Sequence, residues 1–167
     1  MKTIETNVYT FEELDEKAKE KAREWFRDGN DYTFLNEAME EHAIGLLAKA
    51  KIKDVGEFRV FYSLSHSQGD GAMIELDATW RAWRITVKQR GHYSHERSTE
   101  ITLTSLKTGE YAPDARFKDF EDNVYIPMCL ALKKYGYDYI EYEDSNECID
   151  ENIIRNEYTF TIDGERF

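Results

Sequence analysis

The 167-residue chain predicts an α+β fold, a central antiparallel sheet of about four to five strands flanked by N-terminal and C-terminal helices. Three observations predict it. Apolar residues recur at helical spacing in the first part of the chain, alternate with polar ones through the middle, and return to helical spacing in the last third. The 11 Tyr, 9 Phe and 3 Trp supply apolar surface for a sizeable core. No repeat, low-complexity tract or linker interrupts the chain, so residues 1–167 are expected to form a single domain. A domain of this size buries roughly 70% of the surface that its unfolded chain exposes.

An extended start is expected over residues 4–9. Thr10 and Glu13 then make a capping box, and Phe11, Leu14, Ala18, Ala22 and Trp25 follow on one helical stripe that stops at Gly29-Asn30. A second helix is expected over residues 34–51, with Leu35, Ala38, Met39, His42, Leu46 and Leu47 on its broad apolar side. Alternation at Phe58, Val60 and Tyr62, at Ile74, Leu76, Ala78 and Trp80, at Trp83, Ile85 and Val87, and at Ile101 and Leu103 gives four strands with short connections. Helical spacing returns at Phe117, Phe120, Val124, Met128, Ala131, Leu132 and Tyr135. Pro127, which lacks a backbone donor, should kink that helix or mark its first turn. Asp144 with Glu147 can cap a shorter helix carrying Ile149 and Ile153, and Tyr158, Phe160 and Ile162 form one closing strand turned at Asp163-Gly164.

The charge balance excludes whole classes of partner. Thirty-four Asp and Glu against 22 Lys and Arg give a formal net charge of −12, which repels a phosphate backbone, so direct nucleic-acid binding is not expected. The opening MKTIETNVYTFEEL lacks the apolar run of a signal peptide, and no stretch approaches the roughly 18 apolar residues of a membrane span. Cys129 and Cys148 both fall in expected helices and read as packed thiols of a reducing compartment. The expectation is a cytoplasmic protein with no membrane contact.

Few residues suggest chemistry. Ser65-His66-Ser67-Gln68-Gly69-Asp70-Gly71-Ala72 lies between two strands, where Gly-Asp-Gly suits the positive φ angles of a tight hairpin and the tip would display Gln68 and Asp70. Arg90-Gly91-His92-Tyr93-Ser94-His95 joins two later strands. His66, His92 and His95 could meet at one sheet edge with Asp70, and this set is the candidate for a metal-dependent enzyme. Their spacing matches no known ligand signature, and no nucleophile elbow, Walker loop or dinucleotide fingerprint occurs. Neither a catalytic residue nor a cofactor is therefore expected, and no metal. Residues 138–167 hold ten acidic side chains and only two basic ones, interleaved with tyrosines. Tyr139, Tyr142, Glu143, Asp144 and Glu147, together with Gln68 and Asp70, are the expected partner-binding residues, because aromatics among charges are typical of interfaces.

Val8-Tyr9-Thr10-Phe11-Glu12-Glu13-Leu14 with Ala18, Ala22 and Trp25, the Ser67-Gln68-Gly69-Asp70-Gly71-Ala72 loop, the Arg90 to His95 segment and the ending NIIRNEYTFTIDGERF together resemble a group of small phage and prophage proteins. These are uncharacterised or loosely labelled antitoxins of toxin–antitoxin stability systems, and the resemblance covers most of the chain. It implies a phage protein acting in a bacterial host cell. Small acidic phage proteins resemble inhibitors of host defence, so the leading expectation is an anti-defence protein of the anti-CRISPR or anti-restriction type. Such a protein would bind a host or phage protein with a basic surface, with nucleic-acid mimicry as one route, and the alternative is an antitoxin neutralising a toxin by direct contact. From charge alone, the purified protein should show no measurable affinity for duplex DNA at physiological salt; tight binding with a steep salt slope in a filter-binding titration would contradict this.

Overall fold

The computed structural model describes residues 7–167, and the fold is α+β. The chain divides into two compact units: unit 2 is Phe34–Asp138, and unit 1 joins the segment ending at Thr33 to Tyr139–Phe167. Of the extended start expected over residues 4–9, the part before residue 7 lies outside the described residues, and Tyr9 opens the first strand.

Unit 2 rests on a five-stranded antiparallel sheet of β2 (Ile52–Lys53), β3 (Phe58–Ser63), β4 (Gly71–Trp80), β5 (Trp83–Gln89) and β6 (Thr99–Ser105). Its central strand β4 carries β5 and then β6 on one edge. The other edge is shared: β3 pairs with Gly71 to Leu76, and β2 with Thr79 and Trp80. All four strands read from alternation are present. β2 was not foreseen, since two residues are too few for a period of two to register.

One sheet face is apolar because Ile74, Leu76, Ala78 and Trp80 follow the pleat, and Ile85, Val87 and Leu103 continue it on the neighbouring strands. Helix α2 (Leu35–Lys49) packs on the β2 and β3 side and buries Leu35, Met39, Ala43 and Leu47. The long helical stretch α3 (Asp114–Phe120), a π turn (Glu121–Tyr125) and α4 (Ile126–Glu143) supplies Phe120, Tyr125, Met128, Cys129 and Leu132. The Phe120 ring meets Trp80, with centroids 5.1 Å apart. The π turn lies just before Pro127, whose missing N–H leaves the Asn123 carbonyl without its usual donor, so the wider turn absorbs the defect. It also moves the buried stripe by one position: Tyr125 is fully buried where Val124 was expected.

Unit 1 pairs β1 (Tyr9–Thr10) antiparallel with β7 (Thr159–Phe160). The capping box forms, with the Thr10 N–H donating to the Glu13 carboxylate at 2.7 Å, but it heads a 3₁₀ turn (Phe11–Glu13) rather than the helix. Helix α1 (Glu16–Asp28) has its own cap in Asp15, which accepts from the Ala18 N–H at 2.8 Å. Helix α5 (Asn146–Arg155) is capped by Ser145, not by Asp144. Phe11, Leu14, Ala18, Ala22, Ile149, Ile153 and Phe160 make the core of this unit. Cys129 and Cys148 are buried free thiols, and the Cys129 thiol is pushed up to about 12 by burial. Among the described residues no helix is long and apolar enough to cross a membrane.

Gly164, after β7, has φ +81°, and a Cβ there would lie 2.1 Å from the Ala18 carbonyl oxygen of α1. Left-handed strain and backbone overlap both act on a side chain at this position. Gly164→Ala should therefore lower stability by about 2–4 kcal/mol in urea unfolding; a loss below about 1 kcal/mol would show that α1 and the turn do not pack this closely.

Candidate functional site

The two units divide the charge unequally. Unit 1 holds 18 of the 34 acidic residues and eight of the 22 basic ones, a formal net charge of −10; the remaining 16 and 14 leave unit 2 at −2.

Part of the acidity of unit 1 is neutralised internally. The Arg23 side chain is buried and forked onto Asp150, with Nε–Oδ1 at 2.7 Å and Nη2–Oδ2 at 2.8 Å, and its Nη1 also donates to Glu16 at 2.7 Å and Glu20 at 3.1 Å. Arg27 donates to Glu20 at 3.0 Å, to the Asp144 carbonyl at 3.3 Å, and to Asn146. Asp144 accepts the Tyr32 hydroxyl at 2.8 Å, and burial together with that carboxylate pushes the Tyr32 phenol up to about 12. Asp144, expected at the docking face, is thus held inside unit 1.

What remains free lies at the end of α4 and along α5. Among the described residues Glu141, Glu143, Glu147 and Glu151 accept no hydrogen bond and form no ion pair, and Glu141, Glu147 and Glu151 are exposed. Tyr142 stands among them, 57% exposed. Its phenol is pushed above its ordinary value by Cys148 and Glu151 first, then by partial burial, Glu147 and Glu143. Cys148 is itself pushed up by burial and by Glu143 and Glu151, so at neutral pH it is an uncharged thiol and the carboxylates provide the field. Tyr139 is half-buried. Tyr142, Glu143 and Glu147 are therefore brought together, whereas Gln68 belongs to unit 2.

Asp70 is not displayed. It is 5% exposed and forms the centre of its loop, where its carboxylate accepts the Ser65 and Ser67 N–H groups at 2.8 and 3.2 Å and the Ser63, Ser65 and Ser67 hydroxyls at 3.0–3.2 Å. The Tyr137 hydroxyl of α4 donates to it as well, and accepts the His66 N–H at 3.0 Å. These donors, Tyr137 first, hold the Asp70 carboxyl well below the usual carboxylate range against the opposing effect of burial. Gln68 stays exposed at the tip.

The two motif segments meet, as their places at one end of the sheet imply. Beyond the Leu76–Val87 pair the β4–β5 ladder ends: the Gln89 N–H turns to the Glu75 carboxylate at 2.7 Å, and both backbone groups of Ile74 bond the buried Tyr125 hydroxyl. The chain after β5 lies against the start of β4. A Cβ on Gly71 would come within 2.7 Å of the Ser94 carbonyl oxygen. Gly71 is thus required by close approach rather than by a positive φ, which in this loop is found at His66 (φ +56°) and Gly69 (φ +106°). Gln68, Gly69, Tyr93, His95 and Ser98 line the shallow cleft between the segments.

The histidines have separate partners. His66 lies over the Tyr137 ring, with centroids 4.5 Å apart, His95 Nδ1 is 3.2 Å from the buried Glu96 carboxylate, and His92 is exposed. Among the described residues no three His, Cys, Asp or Glu side chains gather as a metal-ligand set, so the metal-enzyme alternative gains no support from geometry. Compared with protein-family models, curated proteins and solved structures, the chain matches none.

A carboxyl group held low in the folded state contributes stability that is fully present above about pH 4 and is lost as pH falls through its folded value. Asp70→Asn removes that contribution. The variant should melt well below the parent at pH 7, with the gap narrowing as pH falls below about 4, and Tyr137→Phe should show a smaller loss. Equal melting temperatures at pH 7 would show that the loop does not depend on this carboxylate.

Proposed function

We propose that this chain is a non-catalytic acidic binding protein whose unit 1 surface docks on a basic groove of a partner protein. The observation that carries the reading is the set of carboxylates Glu143, Glu147 and Glu151, unpaired among the described residues, whose field acts on the exposed Tyr142 ring in a unit of net charge −10. Charges that serve only internal pairing would be arranged like Asp150 and Asp144, facing Arg23 and Tyr32. Carboxylates spaced along a helix end offer a basic groove the charge that a nucleic-acid backbone would, while the ring supplies desolvated contact area. Joined to the resemblance of its motifs to small phage proteins, this surface supports an inhibitor of a host defence protein that works on nucleic acid.

Affinity capture from a bacterial lysate names the partner. With the partner in hand, reversing Glu143, Glu147 and Glu151 to Lys should slow association by about tenfold or more at low salt and flatten its salt dependence. Tyr142→Ala should act mainly by speeding dissociation. Asp144 is excluded from the set because its loss would disturb Tyr32. A charge-reversed protein that folds normally and associates at the parent rate at every salt concentration would refute the proposal.

A further inference from the structure

One end of unit 2 carries the opposite charge. Arg90 and Arg97 are exposed, and among the described residues neither forms an ion pair; Lys88, exposed on β5, lies cross-strand from Glu100 and adds no net charge. The one acidic residue of the intervening loop, Glu96, is buried and faces His95. Asp70, in the adjoining loop, is enclosed by its own donors. Tyr93 lies between Arg90 and Arg97 in the same loop and is 68% exposed. The loop is held in shape from several sides: the Arg90 N–H bonds the Ser98 carbonyl at 2.8 Å, the Ser98 N–H bonds the His95 carbonyl at 2.8 Å, and the Gln89 side-chain amide bonds the Tyr93 carbonyl at 3.2 Å. A chain of net charge −12 thus presents a rigid, locally cationic tip with an aromatic centre.

We infer that this tip docks the acidic surface of a second copy of the same chain, the surface around Tyr142, Glu147 and Glu151. The inference rests on the reading of that surface as an exposed docking face. Each side supplies what the other lacks: free guanidinium groups meet carboxylates and the face of a phenol ring, and each aromatic ring forms an apolar centre inside a charged rim. Repulsion between two chains of like net charge is screened over about 8 Å at physiological salt, so matched contacts at short range dominate once the surfaces meet. A nucleic acid fits less well, because its phosphates continue beyond the tip into the field of an acidic chain. The contact joins unlike surfaces, so it propagates head to tail into rings or open chains unless it closes on itself.

Light scattering of the full chain tests this over about a hundredfold range of concentration, at about 20 mM and about 500 mM salt. At low salt the weight-average mass should rise with concentration to at least twice the 19.7 kDa of one chain, and it should return to that value at high salt. Arg90→Glu/Arg97→Glu and Glu143→Lys/Glu147→Lys/Glu151→Lys should each stay at the mass of one chain, and an equimolar mixture of the two should associate again. Among the described residues none of these side chains forms an ion pair, so thermal melts of the variants should match the parent. A parent that stays at one-chain mass throughout, or an arginine variant that associates like the parent, overturns the inference. So does a mixture that fails to associate. A fluorescein-labelled oligothymidylate whose anisotropy rises with the parent but not with the arginine variant, while the mass stays at one chain, assigns the tip to nucleic acid instead. The arginine variant leaves the acidic face intact and should still capture the basic partner, so failure here is distinguishable from failure of the proposed function.

Discussion

The Asp70 carboxylate sits where water is largely excluded, and a charge in such a place persists only if donors replace the lost hydration. The loop around it is wound to do this. Three serines turn their hydroxyls inward, two backbone N–H groups converge, and α4 contributes the Tyr137 hydroxyl from a distant part of the chain. With the 63–72 loop fixed in this way, Gly71 lies where the chain after β5 can press against it, and Gly136 of α4 sits close enough to Met39 and Leu64 that a Cβ would overlap them. The conformation of one motif, the seat of the other and the approach of α4 to the sheet therefore depend on one ionised side chain. Lys133 of α4, which donates to the Asp70 carbonyl at 3.0 Å, adds a second tie between the same elements.

That dependence separates what was legible in the sequence from what was not. The four longer strands and the α+β class follow from periodicity, because burial on one face imposes a period of two wherever a strand is several residues long. The meeting of the SQGDGA and RGHYSH segments was legible too, since both connect strands at the same end of a meander. The role of Asp70 was not. Gly-Asp-Gly between strands signals a displayed turn, and only the serines before it and a tyrosine nearly seventy positions later show that the carboxylate points inward. Likewise, Asp144 with Glu147 has the spacing of a capping box, yet Ser145 takes the cap because Asp144 is held by Tyr32. The π turn escaped detection because the stripe of a regular helix cannot register one extra residue, although Pro127 marked the place.

The uneven division of charge was half visible. The acidic run of residues 138–167 stands out in the sequence, but its union with the N-terminal segment into one unit does not. Once the two are joined, Arg23 of α1 faces Asp150 of α5 while Arg23 and Arg27 also hold Glu16 and Glu20 of α1 itself, and Asp144, Asp150 and Glu165 of the run take Tyr32, Arg23 and Lys21 as partners. The proposed docking face is what this pairing leaves over. A count of acidic residues overstates it, and Asp144 and Asp150 should be set apart from Glu141, Glu147 and Glu151.

The tyrosines of α4 divide in the same way. Tyr135 stacks on His42, with centroids 3.9 Å apart, and Tyr137 serves Asp70, so both act within unit 2; Tyr142 has the largest outward exposure of the group. Its neighbours decide what it can bind. Because Glu151, Glu147 and Glu143 disfavour ionisation, the phenol stays neutral at physiological pH and its ring keeps the negative face that attracts cations. A guanidinium can stack flat on a phenol face and still donate through its edge N–H groups to carboxylates, which a compact ammonium does less well. In the proposed docking, an aromatic ring among carboxylates would therefore favour arginine over lysine at its centre, whether the arginine comes from a foreign partner or from the cationic tip of a second copy.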